Sequence, residues 1–224
     1  YGLMLRIAAL WNSKASKWVS GRKGLVSRIE SETVSEKPRI WMHCPSLGEF
    51  EQGRPLLEEL RKTFPDYEII LTFFSPSGFE NQKNYPGADR IYYLPDDTPG
   101  NAKRVIKALC PEVAIFVKYD FWLNYLKELK SNGTITILAS GIFRKEQHFF
   151  GSFPQIGRKM LTCFDHFFVQ DQKSLDLLQN TGYDNVTKSG DTRFDLLKAL
   201  ADHAESVEIV KEFSNDHFTV VAGS

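Results

Sequence analysis

The 224-residue chain has little that would build a disulfide, zinc or membrane-spanning architecture. Its three cysteines, Cys44, Cys110 and Cys163, lie far apart and form no C-x-x-C pair. That spacing argues against a disulfide framework or a zinc site and for a reducing compartment. Five histidines are scattered without an H-E-x-x-H, so no metal ligand set is expected. No apolar run approaches the roughly 20 residues a spanning helix requires. No G-x-G-x-x-G follows the first predicted strand, which leaves a standard dinucleotide fold unsupported. A P-loop is excluded by the lack of G-x-x-x-x-G-K-[ST], and no G-x-S-x-G elbow marks a hydrolase. Net charge is missing as well. Lys+Arg and Asp+Glu balance at 28 each, so no whole-chain field points to nucleic acid.

The balance conceals an asymmetry. Residues 1–29 contain Arg6, Lys14, Lys17, Arg22, Lys23 and Arg28 and no acidic group. Removing these six leaves 22 basic groups against 28 acidic ones in the remainder. In the same segment Leu3, Met4, Ile7, Leu10, Trp11 and Trp18 fall close to helical spacing. Basic residues with amphipathic indole rings suit a helix lying on an anionic membrane surface. An ordinary amphipathic helix packed on a domain has the same pattern, and both readings stand. "SGRKGLVSRIESETVSEKP" then reads as a linker, so residues 1–37 are expected to form a basic amphipathic helix and a linker ahead of the main domain. The chain starts at a tyrosine, consistent with a longer protein and an upstream anchor.

From Pro38 onward two kinds of segment alternate. "RIWMHC" (39–44), "YEIILTFF" (67–74), "RIYYLP" (90–95), "VAIFVK" (113–118), "TITILAS" (134–140), "HFFVQ" (166–170) and "NVTKS" (185–189) are short and β-branched or aromatic. Several are continuously apolar, as in strands covered on both faces. Between them lie helical stretches at 51–64, 99–110, 121–132, 156–164, 172–182 and 193–204. Such alternation predicts an α/β fold, a doubly wound parallel sheet with right-handed crossovers, over residues 38–200. At 201–224 a linker leads into "FTVVAGS", an apolar strand and a Gly-Ser turn of the kind that opens a new βα unit. The expectation is the first half of a two-domain protein, continuing past residue 224.

Ligands of doubly wound sheets bind at the carboxyl ends of the strands. Those ends read "PSLGE", "SPSG", "DDT", "KYD", "SGIFR" and "QDQ". Glu49 is the most informative residue among them. Ser46-Leu47-Gly48-Glu49 fits S-x-x-E, a capping box in which the Glu reaches back to the Ser amide. A carboxylate in a first helical turn also suits the helix dipole. Gly48 fits this structural reading poorly, because glycine weakens a helix by about 1 kcal/mol relative to alanine. Glycine is used where backbone comes close to a ligand. Gly53 is expected to relax the same helix face. Cap and catalyst remain open on pattern alone.

The blocks "WMHCPSLGEFEQGRPLLEEL", "TFFSPSGFE", "YYLPDDTPGNAKRVI", "KYDFWLNYL" and "KSGDTRFD" together resemble the amino-terminal half of the Kdo (3-deoxy-D-manno-octulosonic acid) transferases. The resemblance implies the Rossmann-like N-terminal domain of a GT-B glycosyltransferase. It further implies a CMP-Kdo donor, a lipid A precursor as acceptor, lipopolysaccharide biosynthesis, and a place at the cytoplasmic face of the inner membrane. No cofactor or metal is implied. The family's catalytic glutamate falls on Glu49, with Ser46 and Gly48 shaping its loop, and "VAGS" resembles the opening of the donor domain, with Gly223 and Ser224 on the donor side. The family block E-T-E-L-W-P-N is here Lys118-Tyr119-Asp120-Phe121-Trp122-Leu123-Asn124. Its first acidic position has become Lys118 and its second the shorter Asp120. Lys118, Asp120, Arg144 and Lys145 are therefore assigned to the acceptor side, Lys118 as a point charge for a phosphate. Asp120 also fits an N-cap before Phe121, and Arg144, Lys145 and His148 a solvated basic loop. The competing functions are another GT-B enzyme, such as a nucleotide-sugar epimerase, and a lipid A binding module without turnover.

Overall fold

The computed structural model describes residues 11–118, 120–147, 149–150 and 155–202, together with Phe213 and Val220. Seven strands form one all-parallel sheet: β1 (Arg39–Cys44), β2 (Glu68–Phe73), β3 (Arg90–Tyr93), β4 (Val113–Val117), β5 (Ile135–Gly141), β6 (His166–Val169) and β7 (Val186–Lys188). Each lies within two residues of its expected bounds. Their spatial order is β3-β2-β1-β4-β5-β6-β7. The order reverses between β1 and β4, which pair from Ile40↔Val113 to His43↔Phe116.

The helices among the described residues are α1 (Ser13–Ser20), α2 (Leu25–Glu32), α3 (Leu47–Thr63), α4 (Pro76–Gln82), α5 (Pro99–Leu109), α6 (Leu123–Ser131), α7 (Gln155–Leu161), α8 (Gln172–Gln179) and α9 (Arg193–Asp202). All six residues of β1 and of β2 are buried. Successive side chains point to opposite faces, so Trp41 enters one core and Ile40 and Met42 the other. The first core is closed by α2, α5, α6, α7 and α8. The second is closed by Phe50 and Leu57 of α3.

Two expectations about the amino-terminal segment need correcting. Residues 25–32 are not a linker but a helix, with Leu25 and Ile29 buried in the first core and α2 packed on α5. Trp18 is not available to a membrane. It is 5% exposed, packs edge-on to Phe74, and has the Arg22 guanidinium 4.0 Å over its ring. Arg22 donates to the carbonyls of Phe74 and Leu94 at 2.7 and 2.8 Å, tying the segment to the ends of β2 and β3. Trp11, at 80% exposure, and Lys14, Lys17 and Lys23 do face outward. The expected apolar positions Leu3, Met4, Ile7 and Leu10 lie outside the described residues. Among those described, no helix is long and apolar enough to cross a membrane.

Gly53 does not relax a helix face. A Cβ there would sit 3.0 Å from Val117 and 3.3 Å from Met42, so glycine is what lets α3 lie close on β1 and β4.

Candidate active site

Two loops meet at the point where the strand order reverses. One follows β1 and carries Ser46, Gly48 and Glu49 into α3; the other follows β4 and carries Lys118 and Asp120. In an open parallel sheet this crevice is where ligands bind.

Glu49 lies in the first turn of α3, yet it does not close a capping box. Ser46 occupies the N-cap position without a side-chain capping bond. Its hydroxyl instead donates to Glu49 Oε2, while Lys118 Nζ donates to Oε1 at 2.9 Å. The Glu49 side chain is 19% exposed and that of Lys118 23% exposed. Partial burial pushes the Glu49 carboxyl upward, but the Ser46 hydroxyl and the Lys118 ammonium outweigh it and leave it below the ordinary glutamate value. The group is therefore ionised at neutral pH, in the form that can accept a proton. Gly48 is exposed, and the nearest atom to an added Cβ is Ser46 Oγ at 3.9 Å. No protein neighbour demands glycine there.

Asp120 is not the N-cap expected for it. Trp122, whose backbone is extended, holds the N-cap position of α6. Asp97, from the loop after β3, caps that helix by accepting from the amides of Asn124 and Tyr125 at 3.1 Å. Burial raises the Asp97 carboxyl despite those amides. Asp120 Oδ2 instead meets His43 Nε2 and the Trp122 indole N–H, both at 3.0 Å. His43 is fully buried, with Nδ1 2.9 Å from the Thr72 hydroxyl, which also accepts from Trp41 Nε1. A chain of side chains thus runs from the core to a carboxylate at the crevice. His43 was missed, though a histidine ending the apolar run "RIWMHC" signals a buried polar partner.

Arg144 and Lys145 are exposed in the loop after β5, on the same sheet edge. They line a cavity of about 760 Å³ with Asp171 and Lys173 at the start of α8. This cavity and the Glu49–Lys118 pair share no lining residue. Another unforeseen group joins α3 from the far side. Thr192 donates to the Gln52 carbonyl at 2.6 Å, Gln52 Nε2 donates to Asp191 at 3.3 Å, and Thr192 and Ser140 hydroxyls are 2.9 Å apart. The "KSGDTRFD" block is therefore held against the turn of α3 that follows Glu49. His148, Gly223 and Ser224 lie outside the described residues.

A family profile described as 3-deoxy-D-manno-octulosonic-acid transferase (kdotransferase) matches residues 19–196. A 3-deoxy-D-manno-octulosonic acid transferase of Chlamydia muridarum is 31% identical over 159 residues, covering 70% of this chain and 37% of the relative. One from Chlamydia trachomatis serovar D is 27% identical over 198 residues, covering 84% and 45%. One from Haemophilus influenzae is 26% identical over 161 residues, covering 70% and 38%. The chain thus spans less than half the length of these relatives. Among solved structures, the UDP-GlcNAc 2-epimerases of Methanocaldococcus jannaschii and Neisseria meningitidis superpose with TM-scores of 0.55 and 0.57 at 18% and 13% identity. These matches cover 81% and 79% of this chain and 54% and 53% of those structures. At such identities the likeness is one of fold.

Proposed function

This chain belongs to the Kdo transferase family, with the Rossmann-like fold of a GT-B amino-terminal domain, and we propose that it is the acceptor-side half of an inverting transferase. In this reading Kdo passes from CMP-Kdo to a lipid A precursor, a step of lipopolysaccharide biosynthesis. Glu49 is the general base. An acceptor hydroxyl attacks the anomeric carbon, its proton goes to the Glu49 carboxylate, and the bond to CMP breaks on the opposite face with its electron pair leaving on the phosphate. A positioned carboxylate contributes typically 10²–10⁴-fold to such a step. The CMP phosphate is already a good leaving anion and needs no acid. Its binding groups belong to the second half of the protein, opened by Gly223 and Ser224, where helix N-termini suit an anion. The 224-residue chain is thus expected to fold without turning over.

The observation that carries this reading is the Glu49 side chain: ionised, held by two side chains, and still partly open at the sheet's switch point. The open space beside Gly48 supports close approach of an acceptor. Asp120 borders the same crevice, and Arg144 and Lys145 offer positive charge to acceptor phosphates further along the edge. The deciding experiment is Glu49→Gln in the full-length protein, assayed with CMP-Kdo and a lipid A precursor. The expected result is a kcat loss of about 10²–10⁴ with normal folding. Near-wild-type kcat would reject the base. Turnover of a UDP-sugar in place of CMP-Kdo would favour an epimerase or another glycosyltransferase, and acceptor binding without turnover a binding module.

We also assign the membrane-facing surface to the outward side of α1, at the cytoplasmic face of the inner membrane. Lys14 and Lys17 of α1 and the flanking Trp11 and Lys23 are each exposed, whereas Trp18 and Arg22 are committed to the domain. Indole and ammonium groups suit an anionic lipid surface.

A further inference from the structure

We propose that Lys118 is a positioning residue for Glu49: it orients the carboxylate and fixes the pH range over which that carboxylate can take a proton. The proposal rests on the reading of Glu49 as the base. It differs from the role sequence alone suggests for Lys118, a point charge for an acceptor phosphate.

The geometry begins in the backbone. Lys118 follows β4, and its amide donates to the Ala139 carbonyl at 2.9 Å, so sheet pairing continues one residue past the strand. Its φ is +67°, in the left-handed region that a residue with a Cβ enters only when its surroundings hold it there. The Lys118 ammonium lies against the first turn of α3, the helix that follows the neighbouring strand β1. There it meets Glu49 Oε1 at 2.9 Å while the Ser46 hydroxyl takes Oε2. A carboxylate gripped at both oxygens has a fixed plane, and its remaining lone pairs face fixed directions. The similar partial exposure of the two side chains keeps the pair from being fully screened by water.

The other charged groups around Glu49 are otherwise engaged. Cys44 of β1 stays a neutral thiol, pushed well up first by burial and then by the Glu49 charge. His43 of β1 and Asp120 from the β4 loop bind each other. Asp191, beside Gln52, is paired with Arg193. On α3 itself Glu51 pairs with Arg54. Among the described residues, Lys118 is the cation in contact with the carboxylate. An acidic residue at 118, as in the family block, would act on Glu49 with the opposite sign.

The test is the pH dependence of kcat/KM in the full-length protein carrying Lys118→Met or Lys118→Arg. Losing the ammonium removes what favours the carboxylate, so the acid limb of the Lys118→Met profile is expected at higher pH. Activity should fall about tenfold on the acid side and less than about threefold on the alkaline plateau. Lys118→Arg should return the limb toward wild type. An acid limb unmoved in Lys118→Met, or a change confined to KM for the acceptor, would overturn the proposal. Glu49→Gln separates the two claims. If it retains kcat, the base reading fails, and a ¹³C carboxyl titration of Glu49 in Lys118→Met then decides the positioning claim without turnover. An upward displacement supports it and no displacement overturns it. If Glu49→Gln abolishes kcat while Lys118→Met leaves the limb in place, only the Lys118 proposal fails.

Discussion

The two ends of the parallel sheet both hold ion pairs, and they are built differently. At the amino-terminal end Arg39 and Glu68 are 4% and 6% exposed. Arg39 donates to Glu68 at 2.7 Å and to the carbonyls of Thr33, Ser35 and Leu109. Glu68 also takes Arg90 at 2.5 Å. Every charged face there has a partner, and the partners belong to β1, β2, β3, α5 and the turn after α2. At the carboxyl end, the Glu49 oxygens accept from the Ser46 hydroxyl and the Lys118 ammonium, and the side chain remains partly open. A saturated buried pair locks the chain, because removing one member strands the other. An unsaturated, half-open pair leaves a lone pair for something that arrives from outside. One sheet thus holds a saturated, buried pair at one end and a half-open pair, the proposed chemical one, at the other.

The largest expected effect tests that separation by exchange. Glu68→Ala should lower unfolding free energy by about 3–5 kcal/mol in a denaturant titration, with kcat of the folded full-length enzyme little changed. Glu49→Gln should do the reverse, leaving stability within about 1 kcal/mol while kcat collapses. Equal losses of stability at both sites would break the comparison. Next in size is Ile29→Ala, at about 2–4 kcal/mol, since α2 is part of the core rather than a tether. A value near zero would restore the linker reading.

The acid response sharpens the contrast further. Arg39 and Arg90 outweigh the burial of Glu68, and Arg61 and the Ile69 amide outweigh that of Asp89, so both carboxyls sit below their ordinary values. A lowered folded value gives stability that is present above the unfolded value and lost as pH falls through the folded one. Thermal midpoints should therefore hold from neutrality to about pH 5 and fall below it, with a shallower fall in Glu68→Gln. Asp97 has the opposite sign. Its raised value costs stability when it is ionised, and acidification relieves that cost. Asp97→Ala, which removes the α6 cap, is expected to destabilise by about 1 kcal/mol. The smallest expected effect is Trp11→Ala, a modest weakening of binding to anionic vesicles in a sedimentation assay. Unchanged partitioning would remove the membrane role from this ring.

Legibility in the sequence followed the strength of the local signal. Continuous apolar runs such as "YEIILTFF" gave strands because little else buries both faces of a short segment. α2 reads as a linker because its buried residues are only Leu25 and Ile29, amid serines and flanking glycine. α4 went unseen for a similar reason: its seven residues bury Gly78 alone. The S-x-x-E pattern at Ser46 predicts a capping box that does not form, since the serine hydroxyl finds the carboxylate itself. Local pattern puts Asp120 at a helix start that Asp97, distant in sequence, caps instead.

By itself the sequence determined the alternation of strands and helices, the parallel sheet, and a carboxylate at the start of α3. These follow from periodicity and from turn and cap chemistry, which act over a few residues. Only the tertiary structure decided that β4 lies beside β1. That adjacency brings Lys118 to Glu49 across 69 residues and ties Asp120 to a buried histidine. Strand order is set by how two cores close on opposite faces of the sheet, and no local pattern encodes which loop ends will meet.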